Sequence, residues 1–188
     1  ENTLQVTIEP PVDDGGANVT HYVGASKHLV AHWSLDSIDE TTGIVADAFG
    51  TYNGFASADR PTVNGDNGGM KFSSKNKVTI PWSAALNPEE FTVTMWVNAK
   101  STSSSTSSGW QSPLTSRQSS SPYLGYNIYN VGGRWEFWTG KSTDDSTFGS
   151  GWNTVRQDSA AVVLDTWQHL SISYGMTGSA KMTLHVDG

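Results

Sequence analysis

Apolar and polar side chains alternate with a period of two in several short runs. The clearest covers residues 91–97, where Phe91, Val93, Met95 and Val97 share one face and Thr92, Thr94 and Trp96 the other. A strand with one face in a core produces that pattern, because successive side chains point to opposite sides of a sheet. Two later runs repeat it. Leu170, Ile172 and Tyr174 alternate with His169, Ser171 and Ser173, and Met182, Leu184 and Val186 alternate with Thr183, His185 and Asp187. Residues 126–139 read as a hairpin turning at Gly132-Gly133, with Trp138 on the face opposite Trp135 and Phe137.

Earlier in the chain, residues 29–36 read as a first strand. Residues 70–72 and 78–80 read as two short strands around the turn Ser73-Ser74-Lys75-Asn76. The stretches 101–108, almost pure Ser and Thr, and 142–151 read as polar loops. Long runs of helix formers are absent, and no fixed-period repeat is present. Many short strands joined by polar turns define an all-β chain, expected to fold as a two-sheet antiparallel β-sandwich.

Residues 1–26 differ in character. Val6 and Ile8 alternate with Thr7 and Glu9, Pro10-Pro11 stops the ladder, and Asp13-Asp14-Gly15-Gly16 supplies turn chemistry before a strand pattern resumes at Val19. The stretch 10–22 resembles the second and third strands of a fibronectin type III domain. The expected organisation is a linker or remnant of such a neighbour over 1–26 and one sandwich domain over 27–188, within a larger multidomain chain.

Composition narrows the class. Eight Trp and six Tyr supply large buried areas that disordered chains lack. A net charge of −7 with scattered Lys and Arg argues against nucleic acid. There is no Cys, which removes thiolate chemistry and Cys-type zinc sites. No apolar run reaches membrane length, so insertion into a bilayer is not expected.

Taken in order, the segments resemble the laminin-G-like family of concanavalin-A-like jelly rolls. The resemblance is carried by Trp33-Ser34-Leu35-Asp36, the loop 47–54, Gly69-Met70-Lys71-Phe72, Val78-Thr79-Ile80-Pro81 and the strand 91–97. It continues through Gly125 to Tyr129, Trp135 to Gly140, Thr166-Trp167-Gln168-His169-Leu170 and Leu184 to Gly188. In the loop 47–54, Phe49 stands where the family pattern has Ser. The family also continues past its Val-Asp-Gly turn with a last hairpin and a closing strand, so the resemblance implies a jelly roll short of its last strands. It further implies core roles for Trp33, Trp135 and Trp167, a structural role for His169, and an extracellular or cell-surface location.

Glycoside hydrolases share this fold and need two carboxylates facing each other across a scissile bond. On one strand that means acids two or four residues apart. Glu136 stands alone in its strand, Asp187 ends its own, and the pairs Asp144-Asp145 and Glu89-Glu90 are adjacent, so all read as solvated acids. No nucleophile elbow is present. The expectation is a protein without catalytic residues.

For a metal, the loop after the first strand offers Asp36, Asp39, Glu40 and Asp47. The resemblance implies a structural calcium ion with Asp36 and Asp47 as ligands. The competing reading has both carboxylates capping turns through backbone N–H groups. For carbohydrate, flat aromatics flanked by polar groups are the needed chemistry. Trp110, Trp138 and Trp152 are the candidate stacking platforms, with Trp110 and Trp152 expected in loops. Arg117, Asn127 and Tyr129, with Gln118, are the candidate hydroxyl partners. The expected function is a lectin-like module that binds carbohydrate or a matrix glycoprotein. The alternatives are a spacer in a modular adhesin, or a glycosidase with its carboxylates on separate strands.

Overall fold

In a computed structural model, the structure describes residues 3–7, 29–63, 69–73, 76–102, 111–117, 124–140, 152–175 and 181–188. The expected boundary at 26/27, the fibronectin-like stretch and the loop 142–151 lie outside them. The fold is all-β. Its strands are β1 (Thr3–Thr7), β2 (Ala31–His32), β3 (Ile44–Val45), β4 (Gly54–Ala56), β5 (Thr62–Val63), β6 (Met70–Lys71), β7 (Val78–Thr79), β8 (Glu90–Asn98), β9 (Gln111–Arg117), β10 (Gly125–Val131), β11 (Arg134–Gly140), β12 (Trp152–Ala161), β13 (Trp167–Gly175) and β14 (Lys181–Val186). A 3-10 turn, Ala84–Leu86, is N-capped by Ser83. The chain forms two compact units, Glu1–Met95 and Trp96–Gly188, whose boundary falls inside β8.

In the first unit, β1 runs parallel to both its neighbours, with Val6 opposite Ala31 of β2 and Val93 of β8. Strands β3, β4 and β7 form an antiparallel sheet, and β5 pairs with β6. The short strands expected at 70–72 and 78–80 therefore exist but do not pair with each other. Asn76 closes the turn between them by accepting from the Ser73 N–H at 2.8 Å, and each strand finds another partner. The first strand is also shorter than the pattern implied. Leu35 adopts φ of 56°, a left-handed conformation that ends extended backbone just beyond Trp33. Along β8, Phe91, Val93 and Met95 are buried, as the alternation required.

In the second unit, β9, β10, β11 and β12 form a four-stranded antiparallel meander. The β10–β11 hairpin turns at Gly132-Gly133, both at positive φ. One face of the meander carries Ile128, Trp135 and Phe137, all buried. Against that face packs the β13–β14 hairpin, which contributes Leu170, Ile172 and Leu184. Leu170 stands opposite Val186 and Ile172 opposite Leu184, so the expected alternation of both strands serves this core. Trp33 and Trp135 are buried as expected, whereas Trp167 is only half-buried.

Two strands were not marked by the pattern. Trp152 opens β12 instead of lying in a loop, and β9 runs through Ser112, Pro113 and Ser116. Both are outer strands of the meander, and both carry a register shift against their neighbour. Gly125 starts β10 at φ of 93°, where a Cβ would overlap the carbonyl oxygen of Ser116. Gly125→Ala is therefore expected to lose at least about 2 kcal/mol, from left-handed strain and the backbone clash together. Denaturant unfolding of the variant measures this.

Candidate functional site

The other face of the meander is polar and aromatic. Cross-strand register sets it up: Asn127 on β10 stands opposite both Thr115 on β9 and Trp138 on β11, and Tyr129 stands opposite Glu136. Paired residues in a sheet point the same way, so these five side chains share one face. Thr115 Oγ1 donates to Asn127 Oδ1 at 2.5 Å. Trp138 Nε1 donates to Glu136 Oε2 at 2.9 Å, which fixes the indole plane. The Tyr129 ring meets that plane edge-on, with centroids 5.5 Å apart at 82°. The Arg117 guanidinium lies 5.9 Å from the Tyr129 ring centre.

Burial grades across this face. Asn127 and Glu136 are fully enclosed, Tyr129 is buried, Trp138 is half-buried and Arg117 is exposed. Burial pushes the Tyr129 phenol above its usual range, and the nearby Arg117 charge opposes that rise. Asn127 Nδ2 is buried without a hydrogen-bond partner. A buried amide donor left without an acceptor is costly, so its persistence at the centre of an aromatic and polar face points to an external acceptor.

Arg117, Asn127, Tyr129 and Trp138 thus come together. Trp110, Gln118 and the Trp152 side chain lie outside the described residues; the Trp152 backbone pairs with Gly140. Glu136 departs from expectation, since it is enclosed beside Trp138 rather than solvated. Together with Thr115 it completes the face. Glu136 was within reach of the sequence, because a turn at Gly132-Gly133 places residues 129 and 136 side by side; nothing in that turn points to Thr115, which lies on β9.

The acidic loop of the first unit has a different arrangement. Asp47 is enclosed, and its Oδ1 accepts from the His32 N–H at 2.9 Å. Its Oδ2 accepts from the N–H groups of Thr51 at 3.1 Å and Tyr52 at 3.0 Å. Burial opposes ionisation of this carboxyl, but the N–H groups of His32, Tyr52, Phe49 and Thr51 outweigh it and hold the pKa below its usual value. Asp36 is exposed and accepts from the Ser34 and Ser37 hydroxyls. Asp39 caps a turn through the N–H groups of Thr42 and Thr41, and Glu40 pairs with Arg60 at 3.0 Å. Among the described residues, no three His, Cys, Asp or Glu side chains gather as a metal site. Calcium needs six or more convergent oxygens. Asp36 and Asp47 as placed do not form that cage; Asp47 fits the turn-capping reading through backbone N–H groups, whereas Asp36 accepts from serine hydroxyls.

A family model of the concanavalin A-like lectin/glucanases superfamily, of laminin G type, matches residues 72–188, and the chain belongs to that superfamily. Comparison with curated proteins and with solved structures returns no match. The matched span contains the whole β9–β12 meander, and so every described residue of the candidate face.

Proposed function

We propose that the chain is a non-catalytic binding module of an extracellular or cell-surface protein, and that the Arg117–Asn127–Tyr129–Trp138 face takes carbohydrate, free or on a glycoprotein. Membership of a lectin/glucanase superfamily supports the substrate class. The observation that carries the reading is the half-buried Trp138, held in one plane by Glu136 beside a buried Tyr129 and an amide that lacks an acceptor. A sugar ring offers C–H groups to the aromatic surface and hydroxyl oxygens to the amide. The carboxylate described on this face, Glu136, is enclosed and accepts from Trp138 Nε1, which supports the non-catalytic reading. No helix among the described residues is long and apolar enough to cross a membrane.

A glycan array with the wild-type chain, followed by titration of its best ligand, tests the reading. Trp138→Ala is expected to weaken that ligand by roughly 30-fold, about 2 kcal/mol, while the near-ultraviolet circular dichroism of the core is retained. Binding to no glycan and no glycoprotein would favour a spacer without its own ligand. Hydrolysis of any bound polysaccharide would overturn the non-catalytic reading.

A further inference from the structure

The candidate face is rich in uncommitted donors. Arg117 carries five N–H groups, and among the described residues no carboxylate lies within ion-pair distance of it. Its guanidinium lies against the Tyr129 ring, 5.9 Å from the centroid. Asn127 Nδ2 adds two more N–H groups without a partner, while its Oδ1 is taken by Thr115. Among the described side chains of the face the acid is Glu136, which is 1% exposed and accepts from Trp138. An approaching ligand therefore meets the cation at the surface and not the acid beneath it.

Register locates the two donors relative to each other. Arg117 stands opposite Gly125, and Asn127 lies between that row and Tyr129 on the same face. To reach the Tyr129 ring, the Arg117 side chain passes the level of Asn127. A cation over an aromatic ring is held more weakly than a guanidinium in a two-pronged bond to a carboxylate. An arriving carboxylate can thus draw Arg117 off the ring and open the Asn127 amide to a neighbouring hydroxyl.

We infer that this face selects acidic saccharides, with the carboxylate of a uronic acid residue on Arg117, a hydroxyl on Asn127 Nδ2, and the sugar ring against Trp138. The inference rests on the carbohydrate reading above and narrows it. The planar guanidinium fork matches the planar carboxylate, whereas a Lys ammonium would offer only a point charge.

The test is calorimetric titration with oligomers of galacturonate and of glucuronate, each beside its methyl ester. The acid form of at least one oligomer is expected to bind about tenfold or more tightly than its ester. Arg117→Gln should erase that difference, and Arg117→Lys should restore only part of it. Arg117 is exposed, so both variants are expected to fold as wild type does. Esters binding as tightly as the acids, or an acid preference untouched in Arg117→Gln, would overturn the inference and leave the carbohydrate reading standing. Failure of all four oligomers to bind, with the array positive for neutral glycans, does the same. Failure of every glycan overturns both.

Discussion

Gln168→Ala is expected to lower stability by about 4 kcal/mol, a drop of about 10 °C in Tm for a chain of this size. Gln168 is 3% exposed and ties four segments together. Its Oε1 accepts from Trp135 Nε1 at 3.1 Å and from the Val163 N–H at 2.9 Å. Its Nε2 donates to the Ala161 carbonyl at 3.0 Å and reaches Asp187 Oδ2 at 3.5 Å. The amide thus joins β13 to β11, to the end of β12 and to the residue after β14. Truncation leaves a buried indole N–H and backbone groups without partners, and each orphan costs on the order of 1–3 kcal/mol. Gln168→Glu separates the two sides of the amide. It keeps the acceptor for Trp135 and Val163 but loses the donor to Ala161 and sets a second anion near Asp187. It should fall between wild type and Ala in urea unfolding. A loss below about 1 kcal/mol for Ala would show that the hub is dispensable.

Asp47→Ala is expected to cost a similar amount, about 4 kcal/mol, because charge-assisted bonds to three backbone N–H groups disappear at once. The loop it clamps also holds Trp33, whose Nε1 donates to the Tyr52 carbonyl at 2.8 Å. The effect carries a pH signature. The folded-state pKa of Asp47 lies below the ordinary 3.8. Its contribution is complete above about pH 4, and it is lost as pH falls through the folded-state value. Wild type should therefore destabilise in acid more steeply than Asp47→Asn, which no longer titrates. The Asn variant loses much of the stability as well, since its Nδ2 would face N–H donors. Parallel pH–stability curves for wild type and Asp47→Asn would remove Asp47 from this account.

How much of this was legible in the chain depended on where each strand sits. Strands β8 and β13 carry their burial in the alternation of their apolar residues, whereas β10 and β11 are buried on both faces. The outer strands β9 and β12 carry no such signal. Pro113 and the serines of β9 suit a strand with one unpaired edge, where a missing N–H costs little. That composition lacks the alternation of a half-buried strand, and Trp152 follows Gly149-Ser150-Gly151, which reads as a turn. The very short strands of the first unit are set by partner choice rather than by their own residues, so the 70–72 and 78–80 segments were found without their pairing.

The candidate face was half legible. Asn127, Tyr129 and Trp138 came from residue chemistry, and the glycine turn fixed their company. Glu136 departs from its pattern, since a lone acid in a strand ordinarily meets water. Its enclosure depends on the indole across one residue spacing and on the burial of the whole face, neither of which appears in a one-dimensional pattern. Asp47 shows the converse: its two readings were both chemically sound, and only the direction of nearby N–H groups separates them.

The meander has a consequence for biosynthesis. Each of its strands hydrogen-bonds to the next one in sequence, so the sheet can zip up as the polypeptide emerges, without waiting for distant partners. The candidate face is then complete once Ala161 has left the ribosome. Its apolar reverse, with Ile128 and Phe137, stays wet until the β13–β14 ribbon follows. A nascent chain stalled in that interval displays a finished candidate face on a sticky half-sandwich, and this is the species that a chaperone would be asked to shield.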